Sequence, residues 1–132
     1  MQERIDQELR LLRERFKEVE YQPEGRWVKV SPYPLPEGWN LSSTEVVFQI
    51  PAAYPGGHPY GIYTPVGLRF QGAPPNDYRE PAPAQPPFSG TWGIFSWDPV
   101  DHSQWKPTAD IHTGPNLLNW VLGFGERFRQ GK

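Results

Sequence analysis

Cysteine is absent from all 132 residues, which excludes disulfides, thiolate metal sites and thiol catalysis. Acid–base or nucleophilic chemistry therefore falls to hydroxyls, carboxylates and three imidazoles, His58, His102 and His112. The stretch from 96 to 112 is rich in such groups: Ser96, Asp98, Asp101, His102, Asp110 and His112. A hydroxyl is a weak nucleophile until a base takes its proton. An unperturbed imidazole titrates near pH ~6.5, so His102 or His112 could be such a base, with an aspartate to orient it. The three histidines, taken with Asp98, Asp101 and Asp110, match no zinc spacing. We expect neither metal nor cofactor.

Several elements must position these groups. Ile5, Leu9, Leu12, Phe16 and Val19 are spaced 4, 3, 4 and 3, which predicts one amphipathic helix from Gln2 to about Val19. Its other faces carry Glu3, Arg4, Glu8, Arg10, Arg13, Glu14, Arg15, Lys17 and Glu18. Pro23 and Gly25 end it, and Arg26–Val30 reads as a strand. Residues 31–40 read as a turn-rich connection. Val46, Phe48 and Ile50 share one face of a second strand, which Pro51 stops. Gly61–Thr64 and Gly67–Phe70 could form a third strand interrupted by Pro65.

Residues 71–90 hold 6 prolines in 20 positions and predict a long irregular loop. Thr91–Trp97 is strand-like, with Trp92, Ile94 and Ser96 on one face and Gly93, Phe95 and Trp97 on the other. Thr113 reads as the N-cap of a closing helix that carries Leu117, Val121, Phe124 and Phe128 inward. The expectation is one α+β domain spanning 1–132: a helix, three to four antiparallel strands in a meander, a Pro-rich loop and a helix.

Net charge is −2, from 13 basic and 15 acidic residues that are well mixed after the first twenty. Nothing resembles the basic stripe of a nucleic-acid binder. No apolar run approaches the ~18 residues of a membrane span, and the start is charged rather than signal-like. A soluble, cytoplasmic protein is expected.

The order of landmarks resembles the ubiquitin-conjugating fold, in the bacterial group called prokaryotic conjugating-enzyme family E. The marks are Pro34-Leu35-Pro36-Glu37-Gly38-Trp39-Asn40, Val47-Phe48-Gln49-Ile50-Pro51, Tyr54-Pro55 with His58-Pro59, Trp92-Gly93-Ile94-Phe95-Ser96-Trp97, and Trp105-Lys106-Pro107. Typical members carry an Ile-Cys-Leu-Asp stretch before a Trp-x-Pro element. Here Phe95-Ser96-Trp97-Asp98 stands in that place. The family's His-Pro-Asn motif is missing, and Asn76 lies too far upstream to replace it.

The resemblance implies that Ser96 holds a ubiquitin-like protein as an oxyester, received from an adenylating activating enzyme. Asp98, His102 and His112 are then the candidate activating groups. By the same resemblance the first helix meets the activating enzyme, through Arg10, Arg13 and Lys17. The alternatives are a non-catalytic variant that binds the ubiquitin-like protein or the activating enzyme, and a Ser96 that only satisfies a strand end.

Overall fold

The computed structural model describes residues 2–97, 108, 110–112 and 115–131. Helix α1 (Gln2–Arg15) leads into strands β1 (Glu18–Gln22), β2 (Trp27–Pro34), β3 (Ser43–Gln49), β4 (Ile62–Pro65), β5 (Tyr78–Arg79) and β6 (Trp92–Phe95). Helices α2 (Leu117–Leu122) and α3 (Phe124–Gln130) follow. The strands form one antiparallel sheet in the order β1-β2-β3-β4-β6-β5. The architecture is therefore α+β, as expected. The sheet has six strands rather than three to four, and β6 breaks the meander by entering between β4 and β5. No helix among the described residues is long and apolar enough to cross a membrane.

The first difference from expectation lies at the end of α1. The helix stops at Arg15, and Phe16 closes its last turn by donating its N–H to the Leu12 carbonyl at 2.8 Å. Val19 lies not on the helix but in β1, where Val19 and Tyr21 alternate with exposed Glu18, Glu20 and Gln22. A spacing of three after Phe16 prolongs a helical pattern, but Val19 and Tyr21 together fit period two. Their half-buried sides pack on the main core. The predicted connection after Val30 is likewise partly strand, since β2 runs on to Pro34 past an irregularity between Val30 and Tyr33. Of the third strand expected over Gly61–Thr64 and Gly67–Phe70, the structure keeps only the first part, as β4.

The sheet is covered on both faces. On one, Val28, Val30, Val46, Phe48, Ile62 and Phe95 meet Ile5, Leu9 and Leu12 of α1 and Leu117, Val121, Phe124 and Phe128 of α2 and α3. On the other, Val47, Tyr63 and Trp92 meet Ala82 and Phe88 of the Pro-rich segment. The Gln85 amide staples that segment down. It accepts the Trp92 N–H at 2.8 Å and donates to the Ala82 and Trp92 carbonyls at 2.9 Å each. A side chain thus supplies bonds that a neighbouring strand would otherwise make, and proline cannot donate them.

The closing helix also differs from expectation. Its cap is Asn116, which exchanges side-chain and backbone bonds with Asn119 in a capping box. The predicted cap, Thr113, lies outside the described residues. Gly123 divides the predicted single helix into α2 and α3. The four expected inward residues are nevertheless fully buried.

One charged residue of α1 is inside. Glu8 is 0% exposed. Its carboxylate accepts from Arg4 Nε at 2.8 Å, the Tyr54 hydroxyl at 2.5 Å and the Leu117 backbone N–H at 2.6 Å. It thereby ties α1 to the turn after β3 and to the first turn of α2. A buried charge is tolerable only when paired and hydrogen-bonded in this way.

Candidate functional site

Ser96 is the residue immediately after β6, and the register of the sheet fixes its neighbours. Ile62 opposes Phe95 across β4–β6, and Tyr78 opposes Phe95 across β5–β6. One step further, Ser96 faces Gly61 on one side and Asp77 on the other. Two hydrogen bonds hold this continuation: Ser96 N–H to the Asp77 carbonyl at 2.8 Å, and Gly61 N–H to the Trp97 carbonyl at 3.0 Å. Phe95 and Trp97 are buried and Ser96 is exposed. The alternation that places two aromatics inward therefore presents the intervening hydroxyl to solvent.

Glycine is required at position 61 opposite Ser96. It adopts φ +84°, and a Cβ there would sit 3.1 Å from the Ile94 side chain and 3.4 Å from the Phe95 carbonyl. Asp77 is exposed and adopts φ +57°, a conformation that aspartate tolerates in tight turns.

Arg127 of α3 supports this turn from beneath. It is 4% exposed, donates to the Asn76 carbonyl at 2.7 Å and to the Gly131 carbonyl at 3.2 Å, and stacks 4.7 Å over the Phe95 ring. Burial pulls its guanidinium below the ordinary arginine value, against the opposing pull of the Asp77 carboxylate. Arginine still stays protonated. A fixed cation thus braces the 76–77 turn, and that turn holds Ser96.

The other expected residues are distributed differently. Asp98 and His102 lie outside the described residues, as do Asp101 and the Trp-Lys-Pro landmark. His112 is exposed and lines a groove of about 410 Å³ with Gln7, Arg10, Leu11, Glu14, Asp110 and Ile111. Its backbone N–H donates to Asp110 Oδ1 at 2.9 Å. The structure therefore brings His112 beside Arg10, and among the described residues no hydrogen bond joins it to Ser96. Arg10 and Arg13 are exposed on α1, whereas Lys17 is exposed beyond the helix, in the turn before β1. His58 directs Nδ1 to the Pro59 carbonyl at 2.7 Å, and its ring lies 5.9 Å from that of Trp120. Among the described residues no group of three or more histidines and carboxylates could hold a metal ion.

Sequence reasoning missed Asp77 and Arg127. The signal for Asp77 was the Asn-Asp pair inside the Pro-rich segment, a turn-forming dipeptide with a carboxylate. Its distance along the chain from Ser96 concealed it. Arg127 occupies the inward stripe of α3 beside Phe124 and Phe128, where a cation is unexpected. No protein-family model matches the chain, nor does any curated protein or solved structure.

Proposed function

We propose that the chain is a ubiquitin-conjugating-enzyme-like protein of a bacterial ubiquitin-like modification pathway, with Ser96 as the acyl carrier. One observation carries this reading: the hydroxyl in the place of the family's nucleophile is exposed at a strand end and opposes Asp77. Ser96 Oγ attacks the C-terminal carbonyl of a ubiquitin-like protein already activated by an adenylating enzyme. A C–O bond forms, the bond to the activating enzyme's leaving group breaks, and the hydroxyl proton passes to a base. The base is proposed among Asp77, whose backbone opposes Ser96, and the sequence candidates Asp98, His102 and His112. An acceptor amine then attacks the ester carbonyl, the C–O bond breaks, and the proton returns to Ser96. Water in place of the amine gives the free acid.

The test is incubation with the activating enzyme, ATP and the ubiquitin-like protein. Intact mass is expected to show an adduct that alkaline hydroxylamine removes and that Ser96→Ala lacks. An adduct undiminished in Ser96→Ala rejects the assignment.

A second reading is a non-catalytic variant that only binds the ubiquitin-like protein or the activating enzyme. It is favoured by the Ser96 hydroxyl having no hydrogen-bond partner among the described residues. In that case no adduct forms and binding survives Ser96→Ala. Under either reading, charge reversal of Arg10 and Arg13 weakens the complex with the activating enzyme, and Lys17 contributes from the adjoining turn.

A further inference from the structure

A second surface lies at the other end of α1. A groove of about 580 Å³ lies between Arg15, residues 32–36, and Leu122, Gly125 and Arg129. Its walls are proline and aromatic, it holds Leu122, which is 38% exposed, and no lining residue is acidic.

Arg15 and Arg129 face it from different elements, and among the described residues neither pairs with a carboxylate. Both line the groove. A Cβ on Gly125 would lie 3.2 Å from Arg129 Nη1 and 3.6 Å from the Tyr33 hydroxyl, so the guanidinium folds back over Gly125 toward the groove. The Tyr33 hydroxyl also feels the fields of both arginines.

We infer that this groove docks an extended acidic segment of a partner protein, with carboxylates on Arg15 and Arg129 and an apolar side chain against Leu122 and the prolines. Three facts select that occupant. Prolines 32, 34 and 36 offer no N–H, so the groove favours recognition by side-chain packing over addition of a strand. Unpaired guanidiniums favour carboxylates, which they can grip in bidentate fashion. The chain is net negative, at −2, so an acidic partner is directed to this local cationic patch rather than attracted everywhere. The inference is independent of chemistry at Ser96.

The probe is a fluorescein-labelled nine-residue peptide of three Glu-Leu-Pro repeats, compared with its Gln-Leu-Pro counterpart by fluorescence anisotropy. The glutamate peptide is expected to bind saturably, at least ten-fold tighter than the glutamine peptide, and more weakly as salt rises. The Arg15→Glu, Arg129→Glu double variant is expected to lose at least ten-fold. Both side chains are exposed, so its melting temperature should hold. If that variant fails to fold, nitrogen-15 spectra of the wild-type chain decide instead: the peptide must shift the amides of Tyr33, Leu35, Leu122 and Gly125. Equal binding of the two peptides, or shifts confined to other surfaces, overturns the inference. So does concentration-dependent dimerisation that the double variant abolishes, since it assigns the groove to a second copy of the chain.

Discussion

Ser96 owes its place to residues distant in sequence, and their substitution separates chemistry from support. Asp77→Asn keeps the backbone carbonyl that accepts the Ser96 N–H and removes only the carboxylate charge. If Asp77 takes the hydroxyl proton, this change slows adduct formation at least ten-fold, while the lost attraction to Arg127 lowers the melting temperature only slightly. An unaltered rate moves the base to Asp98, His102 or His112. Arg127 acts through the turn rather than on the reacting atoms. Arg127→Met removes the two bonds to the Asn76 and Gly131 carbonyls but keeps apolar contact with Phe95. The expected cost is about 2–3 kcal/mol by urea denaturation, because one buried and one part-buried carbonyl lose a charged donor. Sequence nominates Ser96 by its place in the series of landmarks that resembles the conjugating family. It could not nominate Asp77 or Arg127, because cross-strand and helix-to-turn contacts leave no local periodicity.

Glu8 shows how one polar atom joins three elements. Glu8→Ala leaves the Tyr54 hydroxyl, the Leu117 N–H and the Arg4 guanidinium facing an apolar void. We expect a loss of about 3–5 kcal/mol in urea denaturation. Glu8→Gln, which keeps an acceptor of the same size, should lose less. In β6, the Tyr78 ring lies over Gly93, where a Cβ would stand 2.6 Å from its hydroxyl oxygen. Gly93→Ala must therefore displace Tyr78 and loosen β5, at a cost of about 1–3 kcal/mol in the same assay. The legible elements were those with a regular apolar period: α1, β3, β6 and the inward stripe of α2 and α3. Strand β1 was hidden because Val19 also completes the helical spacing. The two-residue β5 was hidden among prolines, where no alternation is long enough to show. The covering of the second sheet face was hidden because it rests on single residues, Ala82, Gln85 and Phe88, widely spaced in an irregular segment.

Tyrosines stitch the sheet to its coverings, and this sets how the whole molecule responds to pH. The Tyr33 hydroxyl of β2 donates to the Val121 carbonyl at 2.8 Å and the Leu122 carbonyl at 3.2 Å, where α2 meets α3. Tyr54 donates to Glu8, and Tyr78 to the Pro65 carbonyl at 3.1 Å. Burial raises the phenols of Tyr33, Tyr54, Tyr63 and Tyr78, that of Tyr33 to about 12. A phenol raised in the folded state contributes stability that is complete below its unfolded value near ~10 and is lost as pH climbs through the folded value. On the acid side, the hydrogen bond from Arg69 holds Glu80 below the ordinary carboxylate value. Its contribution is present above the unfolded carboxylate range and is lost as pH falls through the lowered one. Among the described residues, four shifted phenols against this one shifted carboxylate should make the alkaline limb the steeper. Tyr33→Phe tests the assignment. It removes one ionisation together with its hydrogen bonds, so neutral-pH stability falls by about 1 kcal/mol. Between pH ~10 and ~12, where the unfolded chain has released the Tyr33 proton and the folded chain keeps it, the pH slope of stability becomes shallower by up to about 1.4 kcal/mol per pH unit. Urea denaturation at stepped pH measures both effects. An unchanged alkaline slope would mean that the Tyr33 proton is not what couples the β2 side of the sheet to the α2–α3 junction.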